Sequence, residues 1–159
     1  MHEFCNIVQP DYPLAPYHVG LGNCPAVMLS PAVYREVVLP DNLWLRQQCS
    51  NFSLHHCGVF DKYAELYVEL APDSLDVGAG SDYKLLRKYF LNTPCSFIVD
   101  NGQIEGRTRE EIDEVVRHII TDGGPIGCIS RLRAYGISRY ATDENLYDFR
   151  TSAKRLGVV

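Results

Sequence analysis

Short apolar stretches alternate with amphipathic helical patterns over most of the chain. Each apolar stretch ends at turn-forming residues and is long enough for one strand. Each is followed by a segment whose apolar residues recur at i, i+3, i+4 and i+7, the spacing of one helix face. Regular alternation of this kind predicts βα units on a parallel sheet, an α/β fold. The five predicted strands lie in HVGLGNC, NFSLHHC, SLDVG, CSFIVD and PIGCISRLRAY.

Polar residues at the starts of the helical patterns predict where helices begin. Ser30, followed by a proline, is a typical N-cap for a helix that runs to about Leu39. Asp41 then predicts the cap of a second short helix. Thr108 and Glu111 have the spacing of a capping box and predict the clearest helix in the chain.

Two architectures fit this order of elements: an open doubly wound sheet, or part of a (β/α)₈ barrel. A whole barrel needs about 250 residues, so a chain of 159 residues would supply about five of the eight units. Residues 1–17 contain three prolines without a clear period and predict an irregular lead-in to a domain over 18–159. In both architectures the functional edge is the carboxyl end of the strands.

Composition narrows the class of protein. The net charge of −5 and the absence of a Lys/Arg cluster argue against nucleic acid as a partner. The apolar runs are too short to span a membrane, and the first residues lack the pattern of a signal peptide, so we expect a cytoplasmic protein. The six cysteines are widely spaced and form no CxxC pair, which predicts reduced thiols rather than a disulfide framework or a zinc ribbon.

The segment LHHCG carries the sharpest chemical signal. His55 and Cys57 are two residues apart at the end of a predicted strand, so their side chains point the same way, and imidazole and thiolate are preferred zinc ligands. Cys24 and Cys128 are candidate third ligands, although each is explained more simply as a buried cysteine. Cys57 can likewise be explained as a buried cysteine. A bulge in this strand would turn the neighbouring His56 inward instead.

Acidic residues also follow the predicted strands. They fall on or near the loops that lead into helices, where helix capping and turn formation account for most of them. The residues in question are Asp76, Asp82, Asp100 and Glu105.

Taken together, four segments resemble the uroporphyrinogen decarboxylase superfamily over about residues 18–157. A serine-proline and a leucine-proline bracket a helix in LSPAVYREVVLP, and histidine-x-cysteine-glycine follows in LHHCG. The family's glycine-asparagine-x-aspartate is matched loosely by the stretch that ends at Glu105, and its glutamate-asparagine by Glu144-Asn145. The resemblance implies the C-terminal part of a TIM (β/α)₈ barrel that lacks the early strands.

The superfamily holds two chemistries. One branch removes carboxyl groups from a porphyrinogen without a cofactor, and the other transfers a methyl group between a corrinoid and a thiol. The second branch uses zinc held by histidine-x-cysteine and a later cysteine, a position that falls at Tyr135 here, with Cys128 seven residues earlier. The resemblance therefore implies zinc on His55 and Cys57, completed by Cys128 or Tyr135, with Glu105 orienting a ligand or substrate.

We therefore interpret the chain as a zinc-dependent methyltransferase or part of one. It would act on a small-molecule substrate, with a corrinoid protein or the missing N-terminal barrel half as partner. Uncovered strand edges favour a homo-oligomer. The alternatives are a porphyrinogen decarboxylase and a catalytically inert association subunit.

Overall fold

A computed structural model describes residues 18–158 and shows one parallel five-stranded sheet. The strands lie side by side in the order in which they occur in the chain, and every neighbouring pair is parallel. A doubly wound sheet reverses its strand order, whereas consecutive strands of a (β/α)₈ barrel follow one another in this way. The fold is therefore part of a barrel, and the doubly wound alternative is wrong. The strands are β1 (His18–Gly22), β2 (Asn51–His56), β3 (Ser74–Val77), β4 (Cys95–Val99) and β5 (Ile129–Ala134).

Helices follow the strands and cover one face of the sheet. Short 3₁₀ turns at Cys24–Met28, Asp61–Tyr63, Asn101–Gln103 and Ile126–Cys128 lie in the connections. The predicted lead-in over 1–17 lies outside the described residues. None of the helices within 18–158 has the length and apolar character needed to cross a membrane. The α-helices are α1 (Pro31–Val33), α2 (Leu39–Gln47), α3 (Ala64–Glu69), α4 (Tyr83–Tyr89), α5 (Arg109–Asp122) and α6 (Asp143–Arg155).

The predicted break between Leu39 and Asp41 is wrong. A π-helical segment, Tyr34–Val38, joins α1 directly to α2, and the Leu39 N–H donates to the Tyr34 carbonyl five residues earlier. Proline interrupts a helix because it has no N–H to donate, and a wider turn just before Pro40 lets the helix continue through it. Asp41 consequently lies in the first turn of α2 and is not its cap.

Most of the predicted caps are confirmed. The Ser30 hydroxyl accepts from the Val33 N–H, and Thr108 and Glu111 form a reciprocal capping box at the start of α5. These bonds satisfy N–H groups that have no partner within the helix.

Alternate residues of the strands have opposite environments. One set, including Phe52, Leu54 and Phe97, is fully buried beneath the helices, and we call this side the helix-covered face. The other set, including His55 and Asp76, lines a hollow of about 400 Å³, and we call this side the open face. In most (β/α)₈ barrels, branched apolar side chains fill the inward layers. Here the open face is polar.

Candidate metal centre

Two cysteines and a histidine meet at the carboxyl edge of the sheet. One ligand atom from each of Cys24, His55 and Cys57 lies within 4.8 Å of the other two. His55 belongs to β2, Cys57 follows directly after it, and Cys24 begins the 3₁₀ turn after β1. Since β1 and β2 are parallel neighbours, their carboxyl ends lie side by side, and these three side chains are therefore close together.

Hydrogen bonds from the preceding residue hold Cys24 there. The Asn23 N–H donates to the His55 carbonyl at 2.8 Å, so the backbone before Cys24 is tied to β2. The Asn23 amide also donates to the Tyr34 hydroxyl at 2.5 Å, and the Asn42 amide donates to the same oxygen at 2.8 Å. Asn23, Tyr34 and Asn42 are all buried, so this arrangement is shielded from water and costly to disrupt.

The backbone around Cys57 is packed against the loop after β3. A Cβ atom placed on Gly78 would lie 2.3 Å from the Cys57 carbonyl oxygen and 2.4 Å from that of Gly58. Only glycine fits at position 78 without moving this backbone. The Cys57 side chain is exposed, and its pKa is raised, mainly by its hydrogen bond with the Cys24 thiol and also by burial.

His55 is the inward-facing histidine, so no bulge reverses the strand. Its Nδ1 lies 2.7 Å from Oδ2 of Asp76 on the neighbouring strand, which leaves Nε2 as the ring nitrogen available to a metal. His56 points to the helix-covered face, where it is fully buried and its Nδ1 lies 2.9 Å from the Tyr67 hydroxyl. Burial lowers the pKa of His56 to about 4.

The structure does not bring Cys128 to this group. Cys128 ends the 3₁₀ turn just ahead of β5, and its Sγ contacts the Asn92 carbonyl at 3.8 Å. Cys128 therefore lies at the amino end of β5, at the opposite side of the sheet from the carboxyl edge. The six residues of β5, each rising about 3.3 Å, separate the two. Among the described residues, Cys24 is the third potential ligand that lies near His55 and Cys57.

Tyr135 and Glu105 lie on the correct edge but outside the three-residue group. Tyr135 follows β5 and is 60% exposed, and the Arg133 guanidinium lies 5.8 Å from its ring centroid. The Glu105 carboxylate accepts from the Ser138 hydroxyl at 2.9 Å and from the Asn101 amide. It therefore joins the loops that follow β4 and β5.

Two residues of this edge have roles that sequence reasoning did not assign. By sequence Cys24 is a candidate third ligand for which a buried cysteine is the simpler explanation, although its place at a strand end is a usable signal. The position of Asp76 after a predicted strand favours helix capping or turn formation. Asp82 and Asp100 do cap short helices, but Asp76 instead binds His55 and Arg133.

This set of donors fits zinc. Two thiols and one imidazole are typical zinc ligands, and three protein ligands leave a fourth tetrahedral position for a substrate. Zinc-binding histidines usually donate their second ring N–H to a carboxylate, as His55 is placed to do with Asp76. The group at the carboxyl edge can therefore bind a metal.

Comparison with known proteins gives a fold relative. No protein-family model and no curated protein sequence matches the chain. A solved structure of a methyltransferase from Methanosarcina mazei superposes with a TM-score of 0.66 at 13% sequence identity. What the two share is the fold. The match covers 87% of this chain and 42% of the methyltransferase, so the chain spans less than half the length of that relative.

Proposed function

We propose that this chain is the zinc-binding part of a methyltransferase barrel. Zinc held by Cys24, His55 and Cys57 would activate a thiol substrate, which accepts a methyl group from a corrinoid on a partner protein. The observation that carries the proposal is the Cys-His-Cys group at the carboxyl edge of the barrel. Two further findings support it: the fold relative is a methyltransferase, and LHHCG resembles a zinc motif of the uroporphyrinogen decarboxylase superfamily.

The reaction is a transfer of a methyl cation equivalent. The substrate thiol would lose its proton to solvent, and its sulfur would form the bond to the methyl carbon. In exchange the methyl group would leave the corrinoid, which would keep the electron pair of the broken carbon–cobalt bond. Zinc, when bound, lowers the pKa of a coordinated thiol so that the nucleophilic thiolate is present at neutral pH.

The residues of this chain supply position and access. The three residues that would hold the metal come from one edge of the sheet, and His55 lines the open face. Tyr135 at the end of β5 is 60% exposed at the same edge, where we propose that it forms a wall of the substrate pocket. Glu105 holds the neighbouring loops together through Asn101 and Ser138 and would orient the substrate indirectly.

Metal content of the purified chain tests the site. We expect about one zinc per chain, lost in Cys24→Ser, His55→Ala and Cys57→Ser. Cys128→Ser is the matched control, since Cys128 lies beyond the opposite end of β5, and it should retain the zinc. A folded chain without zinc, or loss of zinc from Cys128→Ser but not from Cys24→Ser, would contradict the proposed site.

Transfer of a methyl group from methylcobalamin to a small thiol then tests the activity. We expect turnover by the zinc-loaded chain and none by Cys57→Ser. Binding of a porphyrinogen without metal would instead favour the decarboxylase alternative. Neither activity, together with a tight oligomer, would indicate an association subunit.

A further inference from the structure

Asp76 occupies a central place on the open face. It lies on β3 directly opposite His55 of β2, and the two are paired in the sheet register. Its Oδ2 lies 2.7 Å from Nδ1 of His55 and 2.5 Å from Nη2 of Arg133, which extends from β5. Three strands are thus connected through one carboxylate oxygen.

The chemistry of this contact selects one form of the imidazole. An ionised carboxylate only accepts hydrogen bonds, so Nδ1 of a neutral His55 must carry the ring proton. Nε2 then has a free lone pair, which is what a metal requires. In the opposite tautomer the contact with Asp76 would be lost, and Nε2 would present a proton to the two thiols.

Arg133 fixes the carboxylate in turn. The hydrogen bond from the guanidinium to Oδ2 restrains the rotation of the Asp76 carboxylate. Among the described residues, Oδ1 of Asp76 and Nε of Arg133 are buried without a hydrogen-bond partner. The pair is therefore held through a single contact, between Nη2 of Arg133 and Oδ2 of Asp76.

We propose that Asp76 is a positioning residue, held by Arg133, that keeps His55 in the tautomer whose Nε2 faces Cys24 and Cys57. The inference rests on the proposed function in so far as it treats His55 as a metal ligand. The tautomer itself is a property of the chain without metal, so it can be measured even if zinc does not bind.

Nitrogen-15 spectra of the histidine rings in the metal-free chain test the tautomer directly. At pH 8 we expect His55 to carry its proton on Nδ1 in the wild type. In Asp76→Ala it should shift toward the Nε2–H form that free histidine prefers. Asp76→Asn retains an acceptor oxygen of the same shape and should restore the Nδ1–H form. An unchanged His55 tautomer in Asp76→Ala would overturn the proposal, and circular dichroism would establish that the variant is folded.

Zinc affinity, measured by competition with a chelator, is the second readout. Removing a carboxylate that supports a ligating histidine typically costs 10–100-fold in metal affinity, and we expect about this loss in Asp76→Ala. Glu69→Gln is a matched control, because Glu69 also forms an ion pair with an arginine, Arg35, but on the surface. It should leave the affinity unchanged, and an equal loss in both variants would contradict a positioning role.

Substitution of Arg133 tests whether this residue holds Asp76 in place. Arg133→Gln should lower zinc affinity several-fold, less than Asp76→Ala, because Asp76 remains but is less firmly held. Arg131→Gln, on the same strand and also lining the open face, is the matched control. An increase in affinity in Arg133→Gln would mean that Arg133 acts only by repelling the metal charge, which would overturn its role. A wild type without zinc but with the Asp76-dependent tautomer would reject the metal site and retain the positioning.

Discussion

His55 and His56 are adjacent in the chain and have opposite surroundings. His55 faces the open side, where it binds a charged carboxylate beside two thiols. His56 faces the helices, fully buried, with two of the tyrosines of the core, Tyr63 and Tyr67, among its ring contacts. Histidine thus belongs to a candidate metal-binding group at one position and packs in the core at the next.

The two faces of the sheet repeat this contrast. The helix-covered face buries apolar and aromatic side chains, whereas the open face presents serine, histidine, aspartate and arginine. Burial of apolar surface is the main source of folding free energy, so we expect stability to depend on the first face. The polar side chains of the second are then free to serve chemistry.

Adjacent substitutions on β2 test this division most strongly. Phe52 is fully buried on the helix-covered face, and removing a buried phenylalanine costs about 3–5 kcal/mol. Ser53 lies on the open face, where its hydroxyl contacts the exposed His18, and Ser53→Ala should change the free energy of unfolding by less than about 0.5 kcal/mol. Urea unfolding of Phe52→Ala and Ser53→Ala measures both. Similar decreases in the free energy of unfolding of the two variants would show that the open face is part of the core.

Alternation along the strands explains why the fold was predictable from sequence. All five strands and most helix caps followed from local patterns, because hydrophobic periodicity and capping act over a few residues. The helix through Pro40 was not predictable in this way, since the π-helical segment that accommodates the proline leaves no signature in residue type.

The candidate site was only half predictable. His55 and Cys57 are neighbours in sequence, so their spacing placed them on one face. Cys24 and Asp76 come from other strands, and their proximity depends on the register of β1 and β3 against β2. Cys128 had the right chemistry, but only the starting point of β5 decides to which edge of the sheet it belongs.

The acid sensitivity of folding should report on His56. Its pKa is about 4 in the folded chain and about 6.5 when unfolded, so between these values the unfolded chain binds a proton that the folded chain excludes. The contribution of His56 to stability is therefore complete above pH 6.5 and is lost as the pH falls toward 4, by about 3 kcal/mol in total.

The measurement is urea unfolding between pH 4 and 7 in the presence of a chelator, so that metal release does not contribute. His56→Gln removes this titration and should flatten the pH dependence. His118→Gln, which alters an exposed histidine of α5, should keep the wild-type slope. If the stability of His56→Gln also showed the wild-type slope against pH, the buried histidine would not be the source of the acid sensitivity.

Substitution of Gly78 tests whether the edge that carries the candidate metal site is held by backbone packing. An alanine Cβ there would meet the carbonyl oxygens of Cys57 and Gly58 at 2.3 and 2.4 Å, so the chain must shift. We expect Gly78→Ala to lose about 1–3 kcal/mol of stability and to bind zinc more weakly, because the shift moves Cys57.

Gly22→Ala is the matched control: Gly22 ends β1 at the same edge, and a Cβ there would meet nothing within 4 Å. Its stability and zinc affinity should stay close to those of the wild type. Equal behaviour of the two variants would mean that the loop around Cys57 yields easily. The positions of the candidate ligands at the carboxyl edge would then not depend on backbone packing at Gly78.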